Sequence, residues 1–101
     1  MKARVHPAAV AEILAASRWY GEQLVNLGDD FLDEYKAVVA QIETNPRRFP
    51  KTPRPANREV RRARTRRFPY VVIYQLRNDA CVIIAVAHAH RRPNYWGSRL
   101  G

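Results

Sequence analysis

Tyr70-Val71-Val72-Ile73-Tyr74-Gln75-Leu76 and Cys81-Val82-Ile83-Ile84-Ala85-Val86-Ala87, joined by Arg77-Asn78-Asp79-Ala80, decide the fold. Both runs are rich in β-branched and aromatic residues. Asn-Asp between them signals a hairpin, because both residue types tolerate the left-handed backbone of a tight turn. The two runs are apolar enough that at least one face of the hairpin must be covered. Upstream, from Arg58, the period is two: Arg62, Arg64 and Arg66 project to one side of an extended segment, and Arg61, Ala63 and Thr65 to the other. Residues 58–88 thus predict a three-stranded antiparallel meander.

The N-terminal half supplies the cover. Pro7 suits the first position of a helix, where its missing N–H would be unpaired anyway, and Val10, Ile13, Leu14, Ser17, Tyr20 and Leu24 recur at helical spacing. This predicts a helix from Pro7 to Leu24, with Glu12, Arg18, Glu22 and Gln23 solvated and Trp19 and Tyr20 in the core or at the helix–sheet seam. Asn26-Leu27-Gly28 interrupts the pattern, and Asp29 or Asp30 then offers a capping oxygen and negative charge at the positive end of a second helix. Phe31, Leu32, Tyr35, Val38, Val39 and Ile42 form its apolar stripe. The stripe stops at Asn45-Pro46, because the residue before a proline is driven out of helical backbone space. So short a connection makes the two helices an antiparallel hairpin. Residues 47–57, with Pro50, Pro53 and Pro55 among basic residues, read as a loop; Ala3–Val5 is either an edge strand or a frayed tail. The expected fold class is α+β, with an N-terminal antiparallel helical hairpin packed on one face of a small antiparallel β-sheet.

At 101 residues, 47% of them hydrophobic and 27% charged, the chain has the size and composition of one folded domain. Its net charge of +9 is unevenly spread: residues 1–45 hold four Lys/Arg against seven Asp/Glu, and residues 46–101 fourteen against two. Like charge at that density opposes compaction unless a surface needs it or a partner neutralises it, so the expected partner is acidic. The single Cys81 cannot form an internal disulfide and reads as a small core residue. The first residues carry no apolar segment behind their charges and no apolar run is long enough to span a bilayer, so the expectation is a cytoplasmic protein without a targeting signal. A Gly-rich phosphate loop, Gly-x-Ser-x-Gly, Cys-x-x-Cys and paired carboxylates near the basic region are all missing, which leaves most enzyme classes unsupported.

Six arginines fall within residues 58–67. Side chains two apart on a strand lie about 7 Å from each other, near the spacing of successive phosphates along an extended single strand. Arg62, Arg64 and Arg66 are therefore a track for a nucleic-acid backbone, a dock for an acidic peptide, or a solvated basic face. His88 and His90 would share a face of a continuing strand, but no third ligand is near them in sequence and no metal or other cofactor is assigned. His88, whose cationic neighbours Arg91 and Arg92 favour a neutral imidazole, is either a general base or a strand-end residue bonded locally. Trp96 reads first as a packing anchor. Tyr95 lies among arginines whose charge can lower the pKa of a phenol, which makes it a candidate acid or base in phosphodiester chemistry.

These features occur in an order that resembles the RelE/ParE superfamily of toxins from bacterial type II toxin–antitoxin modules. The likeness runs through His6-Pro7-Ala8-Ala9-Val10-Ala11-Glu12-Ile13, Asn45-Pro46 with Phe49-Pro50, Arg61-Arg62-Ala63, Arg67-Phe68-Pro69-Tyr70-Val71-Val72-Ile73-Tyr74, Ala85-Val86-Ala87-His88, Arg91-Arg92-Pro93 and Tyr95-Trp96. The resemblance implies a small toxin neutralised by a cognate antitoxin, which wraps it with an acidic segment. RelE-like members cleave messenger RNA on the ribosome, and on that pattern Arg62, Arg64, Tyr95 and His88 would be catalytic. ParE-like members, the plasmid-stabilisation type, inhibit DNA gyrase, and there Arg61, Arg66, Arg67, Arg91, Arg92 and Trp96 would bind target or antitoxin. Two RelE arginines would fall at Val71 and near Ala89, so the expectation is ParE-like. The alternatives are a ribosome-dependent endoribonuclease and a basic binding domain without toxicity.

Overall fold

The computed structural model describes residues 1–101. In chain order the elements are β1 (Ala3–Val5), α1 (Pro7–Gln23), α2 (Leu27–Thr44), β2 (Glu59–Arg64), β3 (Tyr70–Arg77) and β4 (Ala80–His88), followed by a short 3-10 turn at Gly97–Arg99. The β3–β4 turn is the one its sequence demands. Asn78 and Asp79 have φ of 49° and 63°, and Arg77 pairs with Ala80 to close a two-residue loop. Antiparallel pairing of β2 with β3 runs from Glu59↔Leu76 to Arg64↔Val71 and completes the expected meander.

Ala3–Val5 is a strand, and it lies parallel to β4, with Ala3 opposite Cys81 and Val5 opposite Ile83. The sheet is therefore mixed, in the order β1-β4-β3-β2, where a wholly antiparallel one was expected. Glu43, at the end of α2, holds this short strand: its carboxylate accepts from the Ala3 amide at 2.7 Å and its carbonyl from the Met1 amino group at 2.7 Å. On β4, Ile73 faces Ala85 but Tyr74 faces Ile83, so Ile84 is the extra residue of a bulge. The bulge lets Ile83 and Val86 both face the helices while Ile84 and Ala85 join the opposite layer.

Both faces of the central hairpin are covered. On one, Ala9, Ile13 and Ala16 of α1 and Phe31, Val38 and Ile42 of α2 bury Val72, Tyr74, Cys81 and Ile83. On the other, Trp96, only 4% exposed, packs with Tyr95 and Leu100 over Val60, Val71, Ile73 and Ile84. Gln75 is polar on this second face, and its side-chain amide meets both the amide and the carbonyl of Gly101, at 3.1 and 3.2 Å. No helix is long and apolar enough to cross a membrane.

Helix α2 buries its expected stripe, with Leu32, Tyr35 and Val39 half-buried beside it. Its start differs. Asn26, at φ 71°, is the N-cap, and Asp29 and Asp30 sit in the first turn, where their charge still complements the helix dipole. Helix α1 is rotated from the expected face: Val10, Leu14 and Leu24 are exposed, Leu14 by 56%, and the small Ala9 and Ala16 are buried with Ile13. Small residues win because the helix lies close to its neighbours. A Cβ on Gly28 would fall 2.5 Å from the Ser17 carbonyl oxygen.

Gly28→Ala should therefore push the helices apart and cost about 1–3 kcal/mol, as overpacking generally does, seen as a lower urea midpoint. A second outcome concerns alkaline pH. Burial pushes the Tyr74 hydroxyl from 10.0 to about 12 and the Cys81 thiol from 9.0 to about 11. The unfolded groups ionise first, so the stability these two contribute is fully present below about pH 9 and is lost as pH rises through 11 and 12. Urea midpoints measured from pH 8 upward should fall across that window, and Cys81→Ala should remove the earlier part of the fall.

Candidate functional site

The helices, the sheet and the C-terminal segment meet at one carboxylate. Glu12, one turn into α1, accepts the Val86 amide at 3.0 Å and the Tyr95 hydroxyl at 2.6 Å, and it is paired with both Arg99 guanidinium nitrogens at 2.9 and 3.2 Å. Arg99 also donates to the Ile84 carbonyl at 3.1 Å. Strand β1 ends at Val5, opposite Ile83, so beyond it the β4 edge has no strand neighbour; Glu12 and Arg99 satisfy its next two outward groups with side chains. Glu12 was expected to be solvated. It is instead an organising residue, and only its position four residues after Ala8, on the flank of the buried arc, hinted at that.

Beside this junction, on the face opposite the helices, is a cleft of about 280 Å³. Val71, Ile73, Ala87 and Trp96 line its apolar part, and Arg62, Arg91, Arg92 and His88 bring the charge; no carboxylate lines it. None of these three arginines has a carboxylate partner within 4.0 Å, whereas Arg61, Arg67 and Arg99 do. Such a site favours an anion next to an apolar surface. The Nδ1 atom of His88 accepts the His90 amide at 3.1 Å, so the neutral ring carries its proton on Nε2 and presents a donor. Nδ1 is thus occupied locally at the strand end, and His88 lines the cleft.

Tyr95 also departs from expectation. Burial and the hydrogen bond to Glu12 raise its pKa well above the usual phenol value, and the opposing influence of Arg99 and Arg91 is smaller. A cation over a phenol ring does not offset a carboxylate on its hydroxyl. Arg91 lies 4.1 Å from the Tyr95 ring centroid.

The basic segment divides three ways. Arg62 and Arg64 share the cleft side of β2 with Val60, while Ala63 faces the helical core. Arg66 follows the end of β2 and leaves their row, lying with Arg67 against Asp30, Asp33 and Glu34 of α2. The Arg67 amide donates to Glu34 at 2.6 Å and its guanidinium is 3.6 Å from Asp30. Arg61 is structural: it pairs with Glu59 at 2.8 Å and donates to the carbonyls of Arg47 and Phe49, clamping residues 47–51 along the free side of β2. Of the expected contact residues, Arg61 is held by this clamp and Trp96 is buried in the C-terminal layer.

A second depression, about 590 Å³, lies between α1 and the upper half of β4. Ala15, Trp19 and Tyr20 form one wall, Pro69 and Tyr70 another, and Val86, His88 and Arg91 the remainder. Trp19, expected in the core or seam, is 55% exposed and stands edge-on to Tyr20 at 5.1 Å. Helical spacing could not separate this second apolar arc from the buried one.

Removing the Glu12 carboxylate strands a half-buried guanidinium, a phenol and a strand-edge amide. Glu12→Ala should cost about 3 kcal/mol, the scale of a broken buried pair, with a lower thermal midpoint and increased Trp96 fluorescence exposure; Arg99→Ala should reproduce part of the loss.

The comparisons with known proteins agree with this architecture. No curated protein matches the chain. A solved structure described as the chromosomal ParDE TA system from P. aeruginosa has the same fold, with a TM-score of 0.63 at 15% identity over 87% of this chain and 95% of that one. The family model for the ParE toxin of type II toxin–antitoxin systems, parDE, matches residues 3–93, which takes in every helix and strand. The chain thus belongs to the ParE toxin family of type II toxin–antitoxin systems.

Proposed function

We propose that this protein is a cytoplasmic toxin that binds and inhibits DNA gyrase and is held inactive by a cognate antitoxin with an acidic segment. Family membership supports the toxin role. The state of Tyr95 carries the choice of binding over RNA cleavage. A phenol whose hydroxyl donates to Glu12, and whose pKa is raised, is poorly suited to proton transfer in phosphodiester chemistry. Val71, where a RelE-like nuclease would need a cation, is buried under the C-terminal segment. The loss of such a cation usually costs orders of magnitude in rate. Arg62, Arg64, Arg91 and Arg92 then act as a docking surface, reinforced by a net charge of +9 that speeds encounter with acidic partners.

Purified toxin should block supercoiling of relaxed plasmid by gyrase and leave messenger RNA on programmed ribosomes uncut. Replacing Arg91 and Arg92 together by alanine should weaken the block by about tenfold or more, as loss of charged interface anchors does. Normal supercoiling in excess toxin would refute gyrase as the target. Cuts in the ribosomal A site that vanish in Arg62→Ala and Tyr95→Phe would establish the endoribonuclease instead.

A further inference from the structure

The outer face of α1 is not that of a solvated helix. Ala9, Ile13 and Ala16 turn to the core, and a helix buried on one side ordinarily carries charge on the other. Here the outward positions Ala11, Leu14, Arg18 and Gly21 follow one another at alternating steps of three and four residues, and Val25 continues the row into the turn beyond the helix. All of them are exposed: Leu14 by 56%, and the turn residues Leu24 and Val25 by 62% and 80%. Besides Glu12, the only charges of α1 are Arg18 and Glu22, one turn apart on this face. Neither has an ion-pair partner within 4.0 Å in its own chain. Gly21 lies beside them, and a Cβ there would meet nothing within 4 Å.

Such a row is complementary to itself. Laid antiparallel on a second copy, about a two-fold axis between Trp19 and Tyr20, Leu14 falls against the turn that holds Leu24 and Val25 of the other chain. Arg18 then falls against the other chain's Gly21, where the missing side chain lets the guanidinium pass to Glu22. Two-fold symmetry makes each of these contacts twice. An acidic partner would leave Glu22 unmatched and a basic one Arg18, whereas a second copy satisfies both. We propose that the protein forms a two-fold dimer through the outer face of α1, with Leu14 seated on the Leu24–Val25 turn and Arg18 paired with Glu22 across Gly21. The seam lies in the half of the chain with four Lys/Arg against seven Asp/Glu, so the strongly basic halves of the two copies point apart. The cleft with Arg62, Arg91 and Arg92 is on the sheet face away from the helices, so the dimer keeps both clefts open and presents them together.

Sedimentation equilibrium of the full chain should show a mass that rises with concentration from 11.7 kDa toward twice that value. Leu14→Glu should hold the mass at 11.7 kDa, with an unchanged far-ultraviolet circular dichroism spectrum because the position is exposed. Arg18→Glu brings two carboxylates together at each end of the seam and should raise the dimer dissociation constant about tenfold or more. Adding Glu22→Arg to it restores the pair in reverse and should return the constant to within about threefold of the wild type. Gly21→Ala should raise the thermal midpoint of the dilute monomer, since alanine is the better helix former, yet weaken association about threefold or more by crowding Arg18. A chain that stays at 11.7 kDa at the highest attainable concentration overturns the dimer. So does a dimer that persists in Leu14→Glu, or a charge reversal that the second substitution does not rescue. If the wild type is monomeric and Leu14→Glu instead weakens binding of the product of an adjoining acidic open reading frame, the face belongs to that protein and the dimer is wrong.

Discussion

A β-hairpin apolar on both faces has to be covered twice, and most of this structure is the means of doing so. One cover is the helical hairpin, whose close approach depends on Gly28 and on the alanines of α1. The other is the segment from Tyr95 to Leu100, too short to form a layer by itself but able to place one indole and a leucine over five small and branched residues. The two covers lie on opposite sides of the sheet and are joined around its edge by Glu12. Its carboxylate holds α1, the β4 amide and the C-terminal segment at once, so the two cores share one polar fastening. Partly buried charge is a weak source of net stability, but a carboxylate with three satisfied donors fixes one arrangement of the elements around it.

The same fastening shapes the functional surface. With the Tyr95 hydroxyl bonded to Glu12 and Trp96 in the core, the cleft beside them presents Arg62, Arg91 and Arg92 around an apolar floor. The arginines that do not reach it have other work. Arg61 clamps the proline-rich loop along β2, which shields that sheet edge, and Arg67 pairs with the acidic turn of α2. The high arginine content of residues 58–67 therefore does not correspond to one continuous track.

How much could be read in advance depended on how local the cause was. The hairpin at Asn78-Asp79, the end of α2 before Pro46 and its apolar stripe all follow from neighbouring residues, and the structure has each of them. The rotation of α1 was misread because two arcs of that helix are apolar, and only packing against α2 and β4 decides which is buried. Ala3–Val5 could be settled only by its partners Cys81–Ile83, and Glu12 only by Tyr95, Arg99 and Val86. These pairings span most of the chain, and no window along the sequence contains them. Arg66 was misassigned for a different reason: period-two reasoning assumes the strand continues, and β2 stops at Arg64.

Glu12 and Arg99 are 87 positions apart. Synthesis proceeds from the N-terminus at about 5–20 residues per second, so the helical hairpin leaves the ribosome seconds before the side chains that anchor it to the sheet edge. Over that interval Glu12 has only water for company and the outer face of β3 and β4 has no indole over it. The cover over the outer face of the sheet therefore comes into being last, after the segments that build the helical core.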